Sequence, residues 1–204
     1  MLDHLLPFLL AATVGFTHAF EVDHLVAVSS IVTRRQSVRE ALLDGVFWGL
    51  GHTSTILLIG VLMILVRIAI PESTFGHLEA GVGLMLIVLG LRRLLRASGH
   101  AHPTAHSGPQ HRLAYGVGLV HGLAGSGALI LLAMTQLHKQ WESLAYLLIF
   151  GIGSVGGMLV ASGVLSLPFS RNMRVSHRVQ GALTTLSALL CLGLGLKIVL
   201  ENLL

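Results

Sequence analysis

Charge is scarce in this chain: Asp, Glu, Lys and Arg together make up 11% of the 204 residues, less than half the share of about 25% in an ordinary soluble domain. With 53% hydrophobic residues and a mean hydropathy of +0.81, a water-soluble fold has too little polar surface to cover its interior. Cysteine is nearly absent. The single Cys191 has no intrachain partner, which excludes a disulfide framework and intramolecular dithiol chemistry. The N-terminus, Met1-Leu2-Asp3-His4, lacks the basic start of a secretory leader, and the first apolar stretch contains His18, Glu21, Asp23 and His24, so a cleaved signal peptide is not expected. The six methionines form no motif.

What remains is apolar sequence in long runs. Crossing the hydrocarbon layer takes roughly 20 apolar residues as a helix, since lipid offers no partner to open backbone groups. Six such stretches lie at about 5–33, 42–68, 77–95, 113–137, 142–167 and 178–200. They use most of the chain and leave no room for a separate soluble domain. The expectation is an all-α, polytopic membrane protein: one bundle of six transmembrane helices.

The pI near 10 does not point to nucleic acid, because the basic residues fall between the apolar stretches. The connections after spans one, three and five contain Arg34, Arg35, Arg39, Arg92, Arg93, Arg96, Arg112, Arg171, Arg174 and Arg178; the other side has only Arg67, Lys139 and Lys197. By the positive-inside rule both termini face out and the long third connection lies in the cytoplasm.

The two halves resemble each other. Val14-Gly15-Phe16-Thr17-His18 matches Val117-Gly118-Leu119-Val120-His121, Gly49-Leu50-Gly51-His52 matches Gly151-Ile152-Gly153-Ser154, and His77-Leu78-Glu79-Ala80-Gly81 matches His177-Arg178-Val179-Gln180-Gly181. The order is the same and the offset nearly constant. Three spans per copy is an odd number, so the copies enter the membrane from opposite sides as inverted repeats: repeat one about 1–97, a histidine-rich connection about 98–112, repeat two about 113–204. Secondary transporters with this architecture bind near the midplane, often at interrupted helices. The alternative is an ordinary bundle with chance, glycine-inflated similarity. Small residues four apart, Gly45 and Gly49, then Gly153, Gly157 and Ala161, suit close helix packing. The run Gly122-Leu123-Ala124-Gly125-Ser126-Gly127, just after His121, is the expected place for a broken helix.

Ionisable groups at bilayer depth cost several kcal/mol unless paired, ligated or hydrated. His18-Ala19-Phe20-Glu21-Val22-Asp23-His24 puts four in one segment. At about 100° per residue, His18, Glu21 and His24 share a stripe roughly 120° wide, while Asp23 points about 140° from His18. A straight helix cannot aim all four inward. Either the helix is distorted, or Asp23 orients a histidine or bonds a neighbouring span. Span two adds His52, followed by Thr53, and span four adds His121 at the repeat position of His18, followed by Ser126. A lone membrane histidine is usually an interhelical hydrogen-bonding residue; the clustering is what points to metal or proton chemistry.

Imidazole with carboxylate suits nickel, cobalt, zinc or iron, whereas copper(I) calls for thiolates and thioethers. Neutral imidazole is the ligand form, so affinity is expected to fall as pH drops through about 6.5. The connection carrying His100, His102, His106 and His111 is polar and broken by proline, and reads either as a tether that traps metal or as a solvated linker. A membrane metalloenzyme of zinc hydrolase or iron desaturase type is the rival reading; the single cluster and the absence of several histidine boxes weigh against it.

On these residues the chain resembles the nickel/cobalt transporter superfamily, and within it the short, six-span UreH-like urease-accessory branch. The family's H-x4-D-H signature stands as His18-Ala19-Phe20-Glu21-Val22-Asp23-His24, with Glu21 where aspartate is usual. Its L-G-H-[ST] signature stands as Leu50-Gly51-His52-Thr53. The acidic motif of longer members' later half is absent, and His121-Gly122-Leu123-Ala124-Gly125-Ser126-Gly127 stands there instead. The resemblance implies secondary transport of Ni2+ or Co2+, with Zn2+ or Fe2+ as alternatives, no prosthetic group, and cytoplasmic metallochaperones or urease maturation proteins as partners. It carries His18, Asp23, His24 and His52 as site residues, and more loosely Glu21, His121 and Ser126.

Overall fold

A computed structural model describes residues 2–33, 35, 37–67, 70–97, 110–136, 139–170 and 176–203. Among these are seven α-helices and no strand: α1 (Leu2–His18), α2 (Val22–Val32), α3 (Val38–Ile64), α4 (Glu72–Ala97), α5 (Gln110–Gln136), α6 (Gln140–Ser166), followed by a 3-10 turn (Leu167–Phe169), and α7 (His177–Leu203). Each of the six apolar stretches is helical, the first as the pair α1 and α2.

Among the described residues, three helical segments are long and apolar enough to cross a bilayer: Val38–Ile64, Gln140–Phe169 and Arg178–Leu203. Leu5–His18 and Val22–Val32 are long and apolar enough only as a pair, bent by 54° at a short break, which has the form of a broken span or a re-entrant loop. The other two, α4 and α5, are 26 and 27 residues long but are not among them. Leu186, Leu189, Leu190, Leu196, Leu200 and Leu203 of α7 are exposed, an outer surface that suits hydrocarbon better than water. The chain is a membrane protein.

Small residues decide how the helices meet. A Cβ at Gly15 of α1 would lie 2.0 Å from the carbonyl oxygen of Phe150 in α6, and one at Gly118 of α5 would lie 2.1 Å from that of Trp48 in α3. Likewise a Cβ at Gly51 would meet the Tyr115 carbonyl at 2.2 Å, and one at Gly153 the Ala12 carbonyl at 2.3 Å. Only glycine permits backbone contact this close. Accordingly α3 packs against both α5 and α6, α1 packs along α6, and α4 packs along α7. Two apolar clusters result, one around Ile56, Leu147 and Phe150, the other around Val28, Trp48, Leu86 and Met158.

Two expectations are corrected here. The glycine-rich segment after His121 does not break its helix, since α5 runs without interruption from Gln110 to Gln136. The break falls instead at Ala19-Phe20-Glu21, which contains neither glycine nor proline. There the amides of Phe20 and Glu21 reach only three residues back, to Thr17 and His18 (2.9 and 3.0 Å), and Glu21 is extended at φ −62, ψ 152. Side-chain bonds described below hold this turn, and helix propensity loses to them. The third connection also ends earlier than expected, because His111 and Arg112 belong to the first turn of α5.

Candidate functional site

The break in the first span sets up the site. Because α1 ends at His18 and α2 restarts at Val22 with a 54° bend, residues that a straight helix would scatter are turned toward one place. Both sequence alternatives for Asp23 hold: the helix is distorted, and Asp23 bonds a histidine of another helix. Its Oδ2 lies 2.8 Å from His121 Nε2 on α5, and its Oδ1 lies 3.1 Å from His24 Nδ1. Asp23 also sits in the first turn of α2, where the helix dipole favours negative charge. Glu21 is the N-cap residue of α2 but its side chain makes no capping bond; its carboxylate lies instead 2.8 Å from His18 Nδ1.

The four histidines of α1, α2, α3 and α5 form one cluster. Ring centroids are separated by 4.5 Å for His18 and His24, 5.2 Å for His24 and His52, 5.4 Å for His18 and His52, and 4.2 Å for His24 and His121. His24, His52 and His121 are all at most 2% exposed, and His18 is nearly as buried. One ligand atom from each of His18, His24 and His52 lies within 4.8 Å of the others, and the same holds for Asp23, His24 and His121. The cluster sits where the two apolar cores meet: His18 touches Phe150, and His24 and His121 touch Trp48.

Hydrogen bonding within the cluster is incomplete. His18 Nε2, His24 Nε2, His121 Nδ1 and both ring nitrogens of His52 are buried without a partner. Leaving a buried polar atom unpaired costs about 1–3 kcal/mol; since each neutral ring keeps one lone pair, the four rings together offer a donor set to something that accepts nitrogen lone pairs. A divalent transition-metal ion does.

Of the remaining candidates, Thr53 donates its hydroxyl to the Gly151 carbonyl at 3.2 Å, a bond that joins α3 to α6. Ser126 lies on α5, but its side chain is outside the described residues, as are His100, His102 and His106 altogether. His111 is described: its Nδ1 lies 2.7 Å from Asp44 Oδ1 and its ring stacks on Phe47. It is thus anchored to α3, apart from the loop with which it was grouped.

Sequence reasoning passed over Asp44, which is 1% exposed and also binds Arg35 through both carboxylate oxygens. Arg35, counted above as a loop charge, is itself buried in this pair and reaches Glu40 at 3.3 Å. Burial disfavours the Arg35 cation, but the Asp44 and Glu40 carboxylates outweigh it and raise its pKa. Arg93, also counted as a loop charge, lies within α4 and bonds Thr184 of α7 at 3.1 Å. The signal for Asp44 was available, as it is the only acidic residue in the second apolar stretch.

The chain is similar in sequence to several known proteins. The chain is 37% identical over 178 residues to a urease accessory protein, UreH, of Bacillus sp. (strain TB-90), covering 81% of this chain and 78% of that protein. It is 28% identical over 169 residues to a Methanocaldococcus jannaschii protein named for nickel/cobalt efflux, covering 79% of this chain and 78% of the other. It is 27% identical over 199 residues to the chloroplast protein FOR GROWTH AND FERTILITY 2 of Arabidopsis thaliana, covering 88% of this chain and 52% of that longer protein. No family model and no solved structure matches.

Proposed function

Because the chain belongs to the UreH-like branch of the nickel/cobalt transporter superfamily, we propose that it is a secondary transporter carrying Ni2+ or Co2+ across a membrane by way of the His18, His24, His52 and His121 cluster. The observation that carries this reading is the set of buried, unpartnered imidazole nitrogens at a helix break. A structural histidine core has no reason to leave one nitrogen of each ring bare in apolar surroundings, whereas a cation that enters and leaves requires those lone pairs free between visits. Asp23 and Glu21 offset the charge of the ion. Since a ligating imidazole must be unprotonated, acidification releases cargo.

Two of the relatives are named as an accessory protein and a nickel/cobalt efflux system. They give no support to a zinc hydrolase or iron desaturase, and the chain is read as a non-enzyme.

Alternating access follows from two inverted three-helix repeats, α1/α2-α3-α4 and α5-α6-α7. The packing supports this. Exchanging the repeats turns the Gly15 contact with Phe150 into the Gly118 contact with Trp48, and the Gly51 contact with Tyr115 into the Gly153 contact with Ala12. It also turns the α3–α5 pairing into the α1–α6 pairing and leaves α3–α6 and α4–α7 unchanged. In this reading α4 and α5 also span, both termini face out, and residues 98–109 lie in the cytoplasm, where a metallochaperone or urease maturation protein meets the cargo.

The test is transport into sealed vesicles containing only this protein, with an internal metal-sensitive dye and Ni2+, Co2+, Zn2+, Fe2+ and Mg2+ supplied singly. Entry of Ni2+ or Co2+ is expected, quickened by an outward-to-inward pH step that leaves the vesicle interior acidic. No entry of any transition-metal ion in either orientation of the gradient removes the proposal.

A further inference from the structure

The donor atoms at this site divide into two kinds, and the division is set by which hydrogen bonds a carboxylate can make. An ionised carboxylate only accepts. The ring nitrogen facing each carboxylate oxygen therefore carries the proton: Nδ1 of His24 and Nε2 of His121 toward Asp23, and Nδ1 of His18 toward Glu21. A neutral imidazole has one N–H, so the opposite nitrogen of each ring must hold a lone pair. Those opposite nitrogens, His24 Nε2, His121 Nδ1 and His18 Nε2, are the same buried atoms that have no partner. His52, with both nitrogens bare, makes no side-chain bond that fixes its tautomer and can present either one.

We propose that Asp23 and Glu21 are positioning residues that fix the tautomers of His24, His121 and His18, and that the cation is held by imidazole nitrogens alone, centred on His18 Nε2, His24 Nε2 and His52 with His121 Nδ1 beside them. This rests on the reading above that the cluster carries a divalent cation. The carboxylates are already engaged, Asp23 through both oxygens. Moving either onto the ion would strand a buried N–H, which costs about 1–3 kcal/mol each. The two negative charges still neutralise the dication from one bond further out, and a histidine oriented by a carboxylate is a better donor. Asp23 has a second role, since it belongs to the first repeat and His121 to the second: the same carboxylate ties α2 to α5.

The consequence for substrate class is specific. An all-imidazole set binds Ni2+, Co2+, Zn2+ and Cu2+, and discriminates against Mg2+, Ca2+ and Mn2+, which want oxygen. A carboxylate in direct contact would weaken that discrimination.

The experiment uses the full chain in detergent, loaded with Ni2+ or Co2+ alone, and counts imidazole rings by X-ray absorption fine structure alongside binding isotherms. The parent is expected to show three or four imidazoles, with bound Co2+ undisplaced by a large excess of Mg2+ or Mn2+. Asp23→Asn keeps one acceptor oxygen but turns its other terminus into a donor, so one of its two histidines must reverse its tautomer and point N–H at the ion. The variant should lose one imidazole from the count and bind roughly 10–100-fold more weakly. Should Asp23→Asn not fold, Glu21→Leu tests the role through His18, since it removes the acceptor that faces Nδ1 of that ring and should weaken binding. An unchanged count together with unchanged affinity in Asp23→Asn, unchanged affinity in Glu21→Leu, or a parent showing one or two imidazoles with ready displacement by Mn2+, overturns the positioning role while leaving metal transport intact. A parent that binds no cation at all overturns the functional reading instead.

Discussion

His52 offers the cleanest separation of a binding role from a structural one. It is 0% exposed and neither ring nitrogen has a partner. Replacing it with leucine, close to it in volume, removes two unsatisfied polar atoms and breaks no side-chain hydrogen bond. Relief of even one such atom is worth about 1–3 kcal/mol, and a volume-conserving misfit costs under about 1.5 kcal/mol. The metal-free His52→Leu protein should therefore be as stable as the parent or more so. Metal reverses the ranking. A ligand at 100 times its Kd stabilises by about 2.7 kcal/mol, and each kcal/mol moves the melting point of a chain this size by roughly 2–4 °C. Nickel at that concentration should raise the parent's melting temperature by roughly 5–11 °C and that of His52→Leu by far less. The assay is thermal unfolding of both proteins in detergent, with and without Ni2+. A metal-free variant melting well below the parent would make His52 a structural residue, and an undiminished nickel shift would remove it from the site.

Three further outcomes are expected. Asp44→Ala leaves the buried Arg35 guanidinium with only the more distant, half-exposed Glu40 opposite it and should destabilise the protein by up to about 3–5 kcal/mol, whereas Arg35→Met combined with Asp44→Leu should recover most of the loss; equal melting of the single and double variants would argue against the pair. Gly15→Ala and Gly118→Ala, whose new methyl groups would lie 2.0 and 2.1 Å from a carbonyl oxygen, should each cost about 1–3 kcal/mol by overpacking, while Gly116→Ala, with nothing within 4 Å, should be neutral or stabilising; a neutral Gly15→Ala would disprove the close helix approach. Single cysteines at Ser37, Ser107 and Ser170 in a Cys191→Ala background should resist an impermeant thiol reagent applied to intact cells, and labelling at Ser107 from outside would reverse the proposed orientation.

Much of the helical layout was legible because it follows from one requirement: apolar runs of spanning length must close their own backbone hydrogen bonds. The histidines were legible for a related reason, since ionisable residues in such runs stand out by their cost. Where the first span breaks was not. Glycine density pointed to Gly122-Gly127, yet α5 stays helical there, and the break at Ala19-Phe20-Glu21 is fixed by His18–Glu21 and Asp23–His121 contacts that no local propensity encodes. The Asp44 and Arg35 pair escaped for the opposite reason: a lone carboxylate near a helix start resembles a solvated end until its partner, nine residues away, is seen to be buried with it. The bonding partners of Asp23 needed a contact across 98 residues of sequence, which only the folded chain supplies.

The central claim is that the cation crosses the membrane through the histidine cluster, and it is tested most directly by transport in sealed vesicles with His18→Ala/His24→Ala beside the parent. Both proteins are first shown to be folded and inserted to the same density. The parent should accumulate Ni2+ or Co2+ down an imposed gradient, and the double variant should accumulate none above empty vesicles. Equal accumulation by a well-folded double variant would contradict the account and assign the motif a structural role.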